Sequence, residues 1–89
     1  NNPLTHHYLG LAYHGKGNLA QAITAYQMSI RFKPDLVTVY SDLGNAYTEI
    51  GKSEIGHMFY QKFINLAKYH QNLKGSVEKT RSKVLELEY

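Results

Sequence analysis

Apolar positions along this chain recur at helical spacing in five blocks. Leu4 to His14 reads as a first helix, with Leu4, Tyr8, Leu9, Leu11, Ala12 and Tyr13 spread over two faces, as in a helix packed on both sides. Gly15-Lys16-Gly17 ends it, since glycine readily takes the left-handed conformation at a helix C-terminus. Asn18, with Gln21 in capping-box register, predicts the start of a second helix from Leu19 to Phe32, whose inward stripe is Leu19, Ala22, Ile23, Tyr26 and Ile30. Lys33-Pro34-Asp35 closes that helix because the residue before proline is pushed out of the α region. Asp35 is placed to cap a third helix, Leu36 to Ile50, which carries Val39, Tyr40, Leu43, Ala46, Tyr47 and Ile50 and stops at Gly51. A fourth begins near Ser53 with Ile55, Phe59, Tyr60, Phe63, Ile64 and Leu66. With Lys68 standing where the second helix met Pro34, it is expected to continue to about His70. Leu73, Val77, Thr80, Val84 and Leu87 then form one narrow stripe on a fifth helix, opposite Lys74, Glu78, Lys79, Arg81, Lys83, Glu86 and Glu88.

The first four helices are two copies of one unit. A single offset of 34 residues maps Leu9 to Leu43, Gly10 to Gly44, Ala12 to Ala46, Tyr13 to Tyr47, Gly17 to Gly51, Tyr26 to Tyr60, Gln27 to Gln61 and Ile30 to Ile64. A fixed period of this size is the mark of a solenoid, in which each unit buries its apolar face only by stacking on a neighbour. The fifth helix, with one apolar stripe and one charged face, suits the end of such a stack: it covers the last unit and leaves a wet outer surface.

In these residues the chain resembles the tetratricopeptide repeat family, whose unit is a 34-residue helix–turn–helix. From Pro3 the family pattern meets Leu9, Gly10, Tyr13, Ala22, Tyr26, Ser29 and Pro34; from Val37 it meets Tyr40, Leu43, Gly44, Tyr47, Gly56, Tyr60 and Phe63. The resemblance implies an all-α solenoid of two antiparallel helix-turn-helix pairs, residues 3–36 and 37–70, and a capping helix over 73–89. It also implies a close approach of the paired helices at Gly10 and Gly44, with Tyr13, Tyr26, Tyr47 and Tyr60 filling the space between. His6 stands where the family usually has Trp. Gly56 and Phe63 depart from the family's small residues, which suggests a local exchange of volume between them.

Candidate chemistry changes this picture little. The chain has 89 residues, no cysteine and a net charge of +3. That rules out a disulfide framework or thiolate site and leaves the compartment open. No apolar run approaches the ~20 residues of a membrane span. An opening Asn1-Asn2-Pro3 without Met reads as a piece of a longer protein. No nucleophile–base set, phosphate loop or metal motif is present, so neither catalytic residues nor cofactors are expected. His7 and His14 lie two turns apart, too far to share an ion, while His57 and His70 are expected to face outward. Basic residues are spread over terminal and convex positions and give no nucleic-acid stripe.

Binding is the expected function. The resemblance implies that the first helix of each pair lines a concave groove for a partner peptide or helix, at His7, Leu11 and His14, then Thr38, Ser41, Asn45, Thr48 and Glu49. Asn45 stands out because a carboxamide offers both donor and acceptor to a peptide backbone. The basic clamp of chaperone-binding members is not met: its positions are His7, Leu11, Asp42, Asn72 and Ser76, with no fixed cation and one repelling carboxylate. Two other roles stay open, a scaffold that self-associates through the first helix and a non-catalytic appendage of an enzyme.

Overall fold

A computed structural model describes residues 2–68 and 74–88, with side-chain surroundings for all of these except 74–77 and 86–88. Its helices are α1 (Pro3–Gly15), α2 (Leu19–Phe32), α3 (Val37–Glu49), α4 (Ser53–Ala67) and α5 (Lys74–Glu88), and no strand occurs among the described residues. Each helix packs on the next, α1 on α2, α2 on α3, α3 on α4 and α4 on α5, which is the all-α solenoid that the period requires.

Helix ends repeat with the unit. Among the described residues Gly17 and Gly51 are the two with positive φ, +79° and +89°. After them the Asn18 N–H donates to the Tyr13 carbonyl at 2.9 Å and the Lys52 N–H to the Tyr47 carbonyl at 2.8 Å. These are the closing bonds of a Schellman turn, and only glycine takes its left-handed residue without strain. At the chain's start, the Asn2 Oδ1 accepts from the Leu4 N–H at 2.9 Å and Pro3 opens α1. Three end assignments differ from the sequence reading. Asn18 flanks α2 but makes no side-chain cap, its backbone being engaged in closing α1. Leu36, not Asp35, flanks α3; Asp35 pairs with Lys33 across the turn at 3.5 Å, both exposed. α4 stops at Ala67, short of the expected end. His70, Asn72 and Leu73 lie outside the described residues, as do the side chains of Lys74, Ser76, Val77, Glu86, Leu87 and Glu88.

Two apolar clusters form the core. One joins Ala22, Ile23 and Tyr26 of α2 to Val39, Leu43 and Ala46 of α3. The other joins Val37 and Tyr40 of α3, Tyr60, Phe63, Ile64 and Ala67 of α4, and Val84 of α5. Thr80 is also buried, so α5 covers the second pair as a cap should, with Glu78, Lys79 and Arg81 exposed behind it. Within each pair a tyrosine ring lies on a glycine. A Cβ on Gly10 would stand 2.5 Å from Cδ1 and Cε1 of Tyr26, and one on Gly44 would strike the same ring atoms of Tyr60.

The expected exchange between Gly56 and Phe63 does not occur. A Cβ on Gly56 would meet α3 backbone, at 2.9 Å from the Gly44 carbonyl oxygen and 3.2 Å from the Thr48 nitrogen, so that glycine serves helix approach. Phe63 lies two turns away in the cluster with Val37 and Val84. Its counterpart one unit back is Ser29, whose hydroxyl donates to the Pro3 carbonyl at 2.7 Å. The polar contact of the first pair thus becomes an aromatic contact in the second.

Phe63 is 1% exposed, so Phe63→Ala should cost about 3–5 kcal/mol in urea unfolding, as core Phe truncations do. A loss below about 1 kcal/mol would show the ring is not load-carrying in that cluster. Gly10→Ala should destabilise by about 1–3 kcal/mol through overpacking on Tyr26. Gly15→Ala, whose new methyl meets nothing within 4 Å, should instead stabilise by about 0.4–1 kcal/mol. Equal responses of the two variants would contradict the ring-on-glycine contact.

Candidate partner-binding groove

α1 and α3, the first helices of the two pairs, are tied by two histidine–carboxylate rungs. His7 Nε2 lies 2.7 Å from Asp42 Oδ2, and His14 Nε2 meets Glu49 Oε2. On each helix the two rungs are two turns apart, so both project from the same face. His14 also has an inner partner, with Tyr26 Oη 3.0 Å from Nδ1. In the neutral ring, Nε2–H donated to Glu49 leaves Nδ1 to accept the Tyr26 hydroxyl proton. The Tyr26 ring is flanked edge-on by both histidines, at centroid distances of 6.1 and 6.0 Å. A buried aromatic thus forms the floor between the two rungs.

Further along α3, the Oδ1 of Asn45 accepts two bonds, from the Tyr60 hydroxyl at 2.6 Å and from Lys83 Nζ at 2.8 Å. Lys83 also stands 5.7 Å over the Tyr60 ring, within cation–π range. The pattern assigns this α5 lysine to the outer charged face; it is exposed, but its ammonium reaches across to α3. The remaining groove positions are less constrained. Leu11 and Thr38 are exposed and Ser41 is half-buried, while Thr48 spends its hydroxyl on the Gly44 carbonyl of its own helix at 2.8 Å. His57 is half-buried rather than outward. Among the described residues no group of three or more His, Asp or Glu could hold a metal ion.

The model of the tetratricopeptide repeat family matches residues 10–51, which span most of the first pair and the whole of α3. That match, over a little under half of the chain, supports a tetratricopeptide repeat assignment. Two solved structures of a tetratricopeptide repeat domain protein from Salinibacter ruber share its fold. The crystal structure has a TM-score of 0.85 and 20% identity, covering 99% of this chain and 97% of that one. The solution NMR structure has a TM-score of 0.84 and 19% identity, covering 99% and 88%. At that identity the likeness is one of fold. No curated protein matches the chain. Tetratricopeptide repeats generally mediate protein–protein interaction and are generally non-catalytic. Among the described residues no helix is long and apolar enough to cross a membrane.

Three buried tyrosines carry perturbed phenols. Burial pushes the Tyr26 phenol far above its ordinary value, with the charges of Asp42 and Glu49 adding to the effect. Burial also raises Tyr60 and Tyr40. A phenol raised in the folded state contributes stability that is fully present below the unfolded value near pH 10 and is lost as pH rises through the folded one. The urea midpoint should therefore fall steadily above about pH 10, and Tyr26→Phe should flatten the decline. A wild-type midpoint unchanged up to pH 11.5 would contradict the burial of these hydroxyls.

Proposed function

We propose that this tetratricopeptide repeat chain is a non-catalytic module that holds a segment of a partner protein along the α1–α3 face. The row comprises His7, Leu11 and His14 on α1 and Thr38, Ser41, Asn45, Thr48 and Glu49 on α3. The observation that carries the reading is the state of Asn45. Its carbonyl oxygen is taken by Tyr60 and Lys83, while its two amide hydrogens have no acceptor among the described residues. A side chain held in place on one side and open on the other is prepared to bond a peptide carbonyl without first losing rotamer freedom. The exposed Leu11 adds apolar contact, and the two rungs keep Asp42 and Glu49 occupied rather than facing the ligand bare.

A peptide selected on the immobilised protein from a display library tests this. Asn45→Ala should weaken its binding about tenfold, or about 1.4 kcal/mol, in calorimetry, with Leu11→Asp weaker still. An affinity unchanged in both variants, with the melt of each intact, would remove the groove as the binding surface.

A further inference from the structure

We infer that the segment held in the α1–α3 groove carries a lysine or arginine, seated against the carboxylates of Asp42 and Glu49. This rests on the groove reading above and adds the chemistry of the partner: a basic segment rather than an acidic one.

Charge is distributed unevenly over the molecule. The chain has a net charge of +3, yet none of its ten lysines and arginines lies on α1 or α3; Lys16 follows the end of α1 in the turn to α2. The fixed charges on those two helices are Asp42 and Glu49, both negative. With Asn45 between them they stand at i, i+3 and i+7, so the three share one stripe of α3. A face whose sign runs against that of its own chain can select a partner by electrostatic complementarity.

Both carboxylates can be reached. The side chain of Asp42 is 23% exposed and that of Glu49 54%. Each rung engages one oxygen, Oδ2 of Asp42 and Oε2 of Glu49. A neutral imidazole that donates to it does not cancel the charge. The rungs also hold the two carboxylates in place, which lowers the ordering cost when an ammonium or guanidinium binds. Their fields meet at the floor between them. Burial is the main cause of the raised Tyr26 phenol, and the charges of Asp42 and Glu49 both add to it. On the other side of the stripe, Lys83 donates to Asn45 at 2.8 Å and places a positive charge at the α5 edge. A ligand cation is therefore drawn toward α1 and repelled from α5, and this polarity orients the segment across α3. An acidic segment meets two like charges in the same crevice.

The test is a random peptide display library selected in parallel on the immobilised wild-type chain and on Asp42→Asn/Glu49→Gln. Each amide keeps an oxygen to accept the imidazole N–H and loses only the charge. Peptides selected on the wild type should be enriched in Lys and Arg over those selected on the variant. For one such peptide, the double variant should weaken binding at least tenfold in calorimetry, as should glutamine in place of the peptide's basic residue. The two losses combined should not exceed either alone, since both remove the same pair. Should the double variant fail to melt cooperatively, Glu49→Gln alone, at the more exposed carboxylate, carries the same comparison. If Asn45→Ala weakens binding and the charge variants do not, the groove reading stands and this inference falls. Selected peptides with no basic excess, or losses that add, overturn it equally. A peptide insensitive to Asn45→Ala, Leu11→Asp and the charge variants removes the groove reading and this inference with it.

Discussion

A tyrosine ring packed against a glycine, once in each helical pair, sets the geometry on which everything else depends. At Gly10 and Gly44 the missing Cβ lets the rings of Tyr26 and Tyr60 occupy space that any other residue would fill. The paired helices can then approach closely enough to seal an apolar layer only two helices thick. Small domains have little interior to spare, and a contact that excludes a single methyl group at two equivalent points is a strong constraint on sequence.

The same rings also build the candidate site. Each lies in the core while its hydroxyl emerges on the α1–α3 face, where it fixes a groove side chain: Tyr26 reaches His14 and Tyr60 reaches Asn45. A tyrosine is suited to this because its body is apolar and its tip is polar, so one residue serves packing and positioning together. The groove is thereby coupled to the core. From the Tyr26 hydroxyl the chain of contacts runs through His14 to Glu49 on the next pair, so the spacing of the two first helices is held partly by polar links rather than by apolar contact alone. Such links are directional, and they define how the two pairs sit side by side.

The two pairs are equivalent in pattern and unequal in circumstance. The second is covered on one side by α2 and on the other by α5, and its apolar positions are correspondingly buried. The first is covered on one side only, which is why Leu9 is exposed while Leu43 is not. A translational repeat transfers side chains from unit to unit, but burial depends on neighbours, and the first unit has one fewer among the described residues.

Most of the fold was legible in the chain itself. The 34-residue echo, the glycines at 17 and 51 and the apolar stripes determined five helices, their order and their stacking, because helical period and left-handed turns are local properties of sequence. That the positions proposed for partner binding share one row on α1 and α3 follows from the same helical period. What only the tertiary structure decided is where polar side chains go. Lys83 reads from its helix as an outward charge, yet its long stem carries the ammonium to Asn45 across the α3–α5 boundary. Asp42 reads as an unpaired groove carboxylate and is held by His7 from a helix 35 residues away. Gly56 reads as the partner of Phe63 and instead answers the backbone of α3. In each case the deciding atom belongs to another helix, and the reach of a polar or missing side chain toward it is set by how the helices pack, which no local pattern encodes.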